Sequence, residues 1–290
     1  MKLPAFEYKS PASVGEAIEI LAAHDGGAKA IAGGQSLIPI MAFRLASPSV
    51  LVDLSGIPGL GGITIGEADI SIGAMVRWRE LEEHELLRSA CPLIAAAVGH
   101  IAHYQIRNRG TIGGSLAHAD PAAEMPGVAV TCDAQIEIVG KTGSRRVAAR
   151  DFFVGPLTTC LAHDELITAI HLPPWPVNRR WAFEEFAQRR GDFAFAGVAL
   201  HYDERSDGTI EDAHIGVIGV TPAPRRLAPV EQILNGKRLN DNLVAEAAAA
   251  ASAAVEPQDD IHASAAYRRA LVGTLVERAL ISSAKRGRAS

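Results

Sequence analysis

The sequence predicts an α+β protein of two domains, and three observations carry that reading. Up to residue 172, short apolar runs of strand length alternate with segments whose apolar residues recur at three- and four-residue spacing. The stretch PPWPVNRR (Pro173–Arg180) then stops all periodicity with prolines, as a linker does. Beyond it, three strand-like runs precede two helical ones, the order of a small antiparallel sheet covered by helices. Residues 1–176 are accordingly read as the first domain, with subdomains of about 1–57 and 58–176, and residues 177–290 as the second. A chain of 290 residues is long enough for both cores.

Each element has its own signal. Ser13 and Glu16 stand at capping-box spacing ahead of an amphipathic helix bearing Val14, Ala17, Ile18 and Leu21. AKAIAG reads as a buried strand entering AGGQS, LIPIMAFRLA as a turn or two of helix, and SVLVDLSGIPGL as a strand ended by glycine and proline. DISIGAMVRWRELEEHELL reads as a strand leading into a helix. CPLIAAAVGHIAHYQIRN reads as one longer helix ending at Arg109–Gly110, which sets His100 and His103 on a shared face. AAEMPGVAVTC continues as helix, and the strands AQIEIVG and ELITAIHLP flank GSRRVAARDFFVG. In the second domain WAFEEFAQRR, AFAGVALHY and TIEDAHIGVIG are strands, with Asp207-Gly208 a hairpin turn. NDNLVAEAAAAASAAVEP and SAAYRRALVGTLVERALISSAKR close the chain as helices.

Composition excludes several functions. A net charge of −5 with no Lys/Arg cluster before the terminal KRGRAS argues against nucleic acid, whose phosphates demand such clusters. No apolar run of membrane length and no signal-peptide pattern is present, so a cytoplasmic location and no membrane span are expected. Cys91, Cys132 and Cys160 are too few and too scattered for a disulfide framework, a CxxC metal site or an iron–sulfur cluster. GKT at Gly140–Thr142 lacks the earlier glycine of a phosphate-binding P-loop, and DERSDG has Arg205 where a calcium loop needs a carboxylate or amide and His214 at the closing glutamate position.

Two glycine pairs remain: AGGQSLIP (residues 32–39) and TIGGSLAHADPAAEMP (residues 111–126). Glycine tolerates positive φ and lacks a Cβ, so its backbone N–H groups can turn around an anion without lysine or arginine. Gln35, Ser36, Thr111 and Ser115 add uncharged donors. Either loop alone reads better as an ordinary turn; two in one domain point to a shared phosphate-bearing ligand.

AGGQSLIPIMAFRLASPSVLVDLSGIPGL, IRNRGTIGGSLAHADPAAEMP and RRGDFAFAGVAL together resemble the medium, FAD-binding subunit of bacterial molybdenum hydroxylases, including those of carbon monoxide, nicotine and caffeine dehydrogenases. The likeness covers nearly the whole chain. It implies a two-subdomain FAD domain of the vanillyl-alcohol-oxidase-like type, followed by a small sheet with a helical bundle. Ala32, Gly33, Gly34, Gln35 and Ser36 would form one FAD loop, and Thr111, Ile112, Gly113, Gly114 and Ser115 the other. Leu37, Asp120 and Glu124 would lie near the ribityl and adenosine parts, and Phe193 near the isoalloxazine ring or, equally, in the core. Ala42 stands where many relatives have lysine. The resemblance implies no catalytic residue and no metal in this chain. It also implies an iron–sulfur small subunit and a molybdenum large subunit carrying molybdopterin, assembled as a dimer of heterotrimers. Electrons from [2Fe–2S] clusters would leave this FAD for a quinone, NAD, a cytochrome or dioxygen. The alternative is a self-sufficient FAD oxidase or dehydrogenase; a flavin-free scaffold is a third reading.

Overall fold

Three main sheets organise the chain in the computed structural model, which describes residues 2–286. The first is parallel. Strand β1 (Glu7–Lys9) is followed by α1 (Val14–Ala23), β2 (Ala28–Ile31), α2 (Leu37–Ala42) and β3 (Val50–Asp53), in the order β1-β3-β2. Ala17, Ile18 and Leu21 of α1 share a core with Val50, Val52 and Leu54, because the apolar positions fall on one helical face. Half of the capping box forms. Ser13 Oγ accepts from the Glu16 N–H at 3.2 Å, while the Glu16 carboxylate accepts from Ala12 instead of Ser13.

The second unit begins with β4 (Ile63–Ile65) and β5 (Ile70–Gly73). Six short helices follow: α3 (Trp78–Glu83), α4 (Glu85–Ala90), α5 (Pro92–Val98), α6 (Tyr104–Arg107), α7 (Ile112–His118) and α8 (Glu124–Thr131). Then come β6 (Gln135–Gly140), β7 (Gly143–Ala148), α9 (Ala149–Phe152), the ribbon β8 (Phe153–Gly155) with β9 (Thr158–Thr159), and β10 (Leu166–Leu172). The sheet runs β4-β5-β10-β6-β7 and is antiparallel throughout.

The single long helix expected over 91–108 is two. Helix α5 stops at Gly99, Ala102 takes φ 43°, and Arg107 donates to the carbonyls of Ile101 and Ala102 at 3.1 and 3.2 Å. That guanidinium supplies the donors the broken helix lacks. His100 and His103 therefore share no helix face: His100 lies in the turn and His103 is the N-cap of α6. The helix expected through RWRELEEHELL also breaks, at His84, whose ring accepts the Leu87 N–H at 3.1 Å.

The second domain is the meander β11 (Arg179–Ala187), β12 (Ala194–Glu204), β13 (Ile210–Ile218) and β14 (Arg225–Arg226). Gly208 takes φ 84° in the expected hairpin. Helices α10 (Ala228–Leu234), α11 (Asp241–Ala253) and α12 (Ala265–Arg286) pack on it, burying Val198, Leu200 and Val217 against Leu243, Val272 and Val276. Of the basic tail, residues 287–290 lie outside the described residues.

Helix α8 joins the domains. All eight of its residues are buried. It lies so close to β13 that a Cβ on Gly216 would fall 2.0 Å from Thr131 Oγ1. The Thr131 carbonyl, at its C-terminal end, lies 3.1 Å from His201 Nε2 and 2.8 Å from His214 Nδ1. Next to it Arg226 holds Asp133 by two bonds of 2.9 and 3.0 Å.

Candidate functional site

A cleft of about 1420 Å³ opens between the first two units and extends to the second domain. That exceeds the roughly 300–1,000 Å³ usual for a drug-sized ligand, as an elongated dinucleotide requires. Every expected site residue lines it except Ile112, whose side chain is in the core beneath. Ala42, at the end of α2, does not line it.

The two glycine segments meet through backbone. A Cβ on Gly33 would sit 2.0 Å from the Arg109 carbonyl oxygen, so only glycine lets the chain leaving strand β2 run against Arg109, two residues before the second motif. A Cβ on Gly114 would face that of Ala32 at 3.7 Å. The segment leaving β2 and the start of α7 thus form one wall.

They contribute differently. Gly34 takes φ 72° between β2 and α2. Among the described residues, the N–H groups of Gly33, Gly34, Gln35 and Ser36 donate to no other protein group, and Ser36 makes no side-chain cap. Backbone donors rarely stay unpaired, so this row fits an anionic guest. Gln35 Nε2 donates back to the Gly33 carbonyl at 3.2 Å.

The second pair departs from expectation. Gly113 and Gly114 are inside α7, not in a loop, and neither has positive φ. The Gly113 N–H donates to Ala74 O at 2.9 Å, the Gly114 N–H to Thr111 Oγ1 at 3.1 Å and the Ser115 N–H to Thr111 O. Thr111 is therefore the N-cap, 3 % exposed, and these amides are already engaged. These glycines serve close packing: a Cβ on Gly113 would lie 2.6 Å from Ala74 Cβ.

Two carboxyls line the cleft beyond α7. Asp120 caps the Ala122 N–H at 2.9 Å. Glu124 is buried, which pushes its pKa up to about 7, the Asp120 charge adding to the rise. Phe193, one residue before β12, is 65 % exposed; the core alternative for it is excluded.

The far wall was not read from the sequence. Arg268 of α12 reaches in to donate to Phe195 O at 2.7 Å, Gly219 O at 3.2 Å and Asp260 Oδ2 at 2.6 Å. Asp260 also accepts the Ala263 N–H, and these bonds lower its pKa to about 2. No spacing in the sequence connects these residues to the glycine motifs.

Known proteins resemble this chain over nearly its whole length. Residues 4–175 match the family described as FAD binding domain in molybdopterin dehydrogenase, and residues 181–283 match the CO dehydrogenase flavoprotein C-terminal domain. The nicotine 6-hydroxylase medium subunit of Paenarthrobacter nicotinovorans is 41 % identical over 286 residues, covering 99 % of this chain and 100 % of that one. The carbon monoxide dehydrogenase medium chain of Hydrogenophaga pseudoflava is 37 % identical, covering 96 % of each. A chain in the structure of that organism's carbon monoxide dehydrogenase superposes with TM-score 0.96 at 38 % identity, over 99 % of both chains. A chain of quinoline 2-oxidoreductase from Pseudomonas putida 86 gives 0.94 at 37 %, also over 99 % of both.

Proposed function

Since the chain belongs to the family of FAD-binding medium subunits of molybdenum hydroxylases, we propose that it passes electrons from an iron–sulfur partner through FAD to an external acceptor. The chain is an oxidoreductase component that carries the FAD-binding domain of such a complex. On our reading residues 1–176 grip the cofactor and 177–290 close the far side of its cleft. The small iron–sulfur and large molybdenum subunits complete a cytoplasmic dimer of heterotrimers. Among the described residues no helix is long and apolar enough to cross a membrane.

The observation that carries the proposal is the row of unpaired N–H groups from Gly33 to Ser36 in a cleft with few cationic side chains. These amides would hold the diphosphate, each such bond worth roughly 1.5–3 kcal/mol. Asp120 and Glu124 would accept from sugar hydroxyls, and Ser115 would add a donor from α7. Phe193 would cover the ring system at the exposed end. FAD bound there exchanges electrons singly or in pairs, which suits a junction between iron–sulfur clusters and two-electron acceptors. The chain's own part is to bind, orient and shield.

The test is flavin content together with the route of reduction. The purified chain should be yellow and release FAD on heating, and a reduced [2Fe–2S] protein should bleach it while small organic substrates do not. Gly34→Ala should lose most of the flavin, because an L residue at φ 72° costs roughly 1–2 kcal/mol. Gly34→Asn should keep more, since asparagine tolerates that conformation. Full flavin content in folded Gly34→Ala would refute the amide cradle, and direct bleaching by an organic substrate would favour a self-sufficient dehydrogenase.

A further inference from the structure

The turn that carries Phe193 joins β11 to β12 and lies beyond their last pair, Ala187 with Ala194. It is fastened from both domains instead. On the first-domain side Gly191 takes φ 87°, and a Cβ there would fall 2.5 Å from the Ala102 carbonyl oxygen. That carbonyl is one that Arg107 holds, at 3.2 Å. On the second-domain side the Phe195 carbonyl accepts from Arg268 at 2.7 Å. Phe193 is thus bracketed by two fixed points, each two residues away.

Arg268 is placed for more than packing. It is 7 % exposed, and its guanidinium carbon lies 5.6 Å over the Phe195 ring. Nη1 is shared between the carbonyls of Phe195, at the start of β12, and Gly219, just after β13, while Nη2 donates to Asp260. Asp260 is itself aimed by the N–H groups of His262 and Ala263 at 2.8 and 2.9 Å. The Gly219 N–H in turn donates to Pro121 O at 2.9 Å, next to Asp120 of the cleft. One side chain therefore ties the helical layer to both strand ends and, through the Gly219 peptide, to the first domain. Its Nε is buried without an acceptor. An idle buried donor costs stability, and packing alone is served as well by an apolar side chain of similar volume.

We propose that Arg268 is a positioning residue that holds Phe193 over the flavin ring system. The inference rests on the function proposed above. Phe193 is 65 % exposed, so its direction is set by the backbone on either side of it and not by packing around its ring. With the Phe195 carbonyl released, the turn can pivot at Gly191 and carry the aromatic side chain off the ring system. An aromatic face laid on the flavin shields it from water and slows its loss. Arg268 touches neither cofactor nor acceptor in this role; it acts through Phe193.

The experiment is a double-mutant cycle between Arg268→Met and Phe193→Ala on the flavin-loaded chain. It reads the rate of FAD release after dilution and the visible circular dichroism of the bound flavin. Each single variant should release FAD roughly tenfold faster and change the same visible band, and the double variant should match Phe193→Ala alone, as for residues that act through one another. Arg268→Lys keeps the charge but cannot fork between partners, so it should fall between wild type and Arg268→Met. If Arg268 were only structural, the two effects would multiply to about 100-fold in the double variant, and that outcome would overturn the positioning role. Should Arg268→Met fail to fold, Asp260→Asn, on a carboxylate 45 % exposed, loosens the same guanidinium. It should speed release to a smaller extent, and not at all once Phe193 is alanine. Unchanged release in Phe193→Ala would also overturn the inference while leaving the FAD function standing. A wild-type chain that holds no flavin would instead overturn the function.

Discussion

Gly33 and Gly34 stand side by side and do different work: one lets a carbonyl approach, the other supplies a left-handed turn. The sequence made both visible as a pair but could not assign the roles, because each depends on a neighbour far along the chain. It misled at Gly114, where the same dipeptide is helical and its amides are spent on Ala74 and Thr111. The burial of Glu185, whose side chain is 3 % exposed, was invisible, since a glutamate in WAFEEFAQRR looks like any solvent-facing strand residue until β11 is packed on α5. Burial raises its pKa from 4.5 to about 8, so the folded state holds more protons than the unfolded one across that window. Stability should therefore fall as pH rises from 4.5 through 8, Glu124 acting in the same sense below about 7. Thermal scans should show Glu185→Gln gaining on the wild type at pH 9 by roughly 2–4 °C per kcal/mol relieved. Near pH 4 the two should differ little.

Element boundaries were legible wherever the signal was local. The capped α1, the hairpin at Gly208 and the three long strands of the second domain follow from spacing and turn chemistry. The error over 91–108 arose because apolar periodicity runs on through a break that Arg107 stabilises from outside, a tertiary contact with no local signature. Helix α8 shows the same limit: its sequence reads as a buried helix, but not as the piece on which both domains rest. Gly216→Ala tests that role, since its methyl would enter the space of Thr131 Oγ1. Overpacking there should cost about 1–3 kcal/mol, read as a lower midpoint in urea. Flavin content should also drop, because α8 carries Glu124 into the cleft. An unchanged midpoint would mean the seam yields freely.

At the scale of the whole molecule, the two-domain α+β architecture and the presence of an FAD-binding domain were both accessible from motifs in order, whereas the third wall of the cleft was not. Arg268 and Asp260 enter it only because the helical layer folds back on the meander. The abutment of Gly33 on the Arg109 carbonyl carries a kinetic consequence. The parallel sheet and the antiparallel sheet are distinct, and their shared wall exists only after both have formed and docked. Contacts between segments so distant in sequence close late, after the local ones. Cofactor capture should then be the last event of refolding. After dilution from urea with FAD present, far-ultraviolet circular dichroism should recover first, and the change in flavin fluorescence should trail it as a separate phase. The early phase should keep its rate however much FAD is added, so that the cofactor acts as a seal on a finished cleft and not as the template around which it forms.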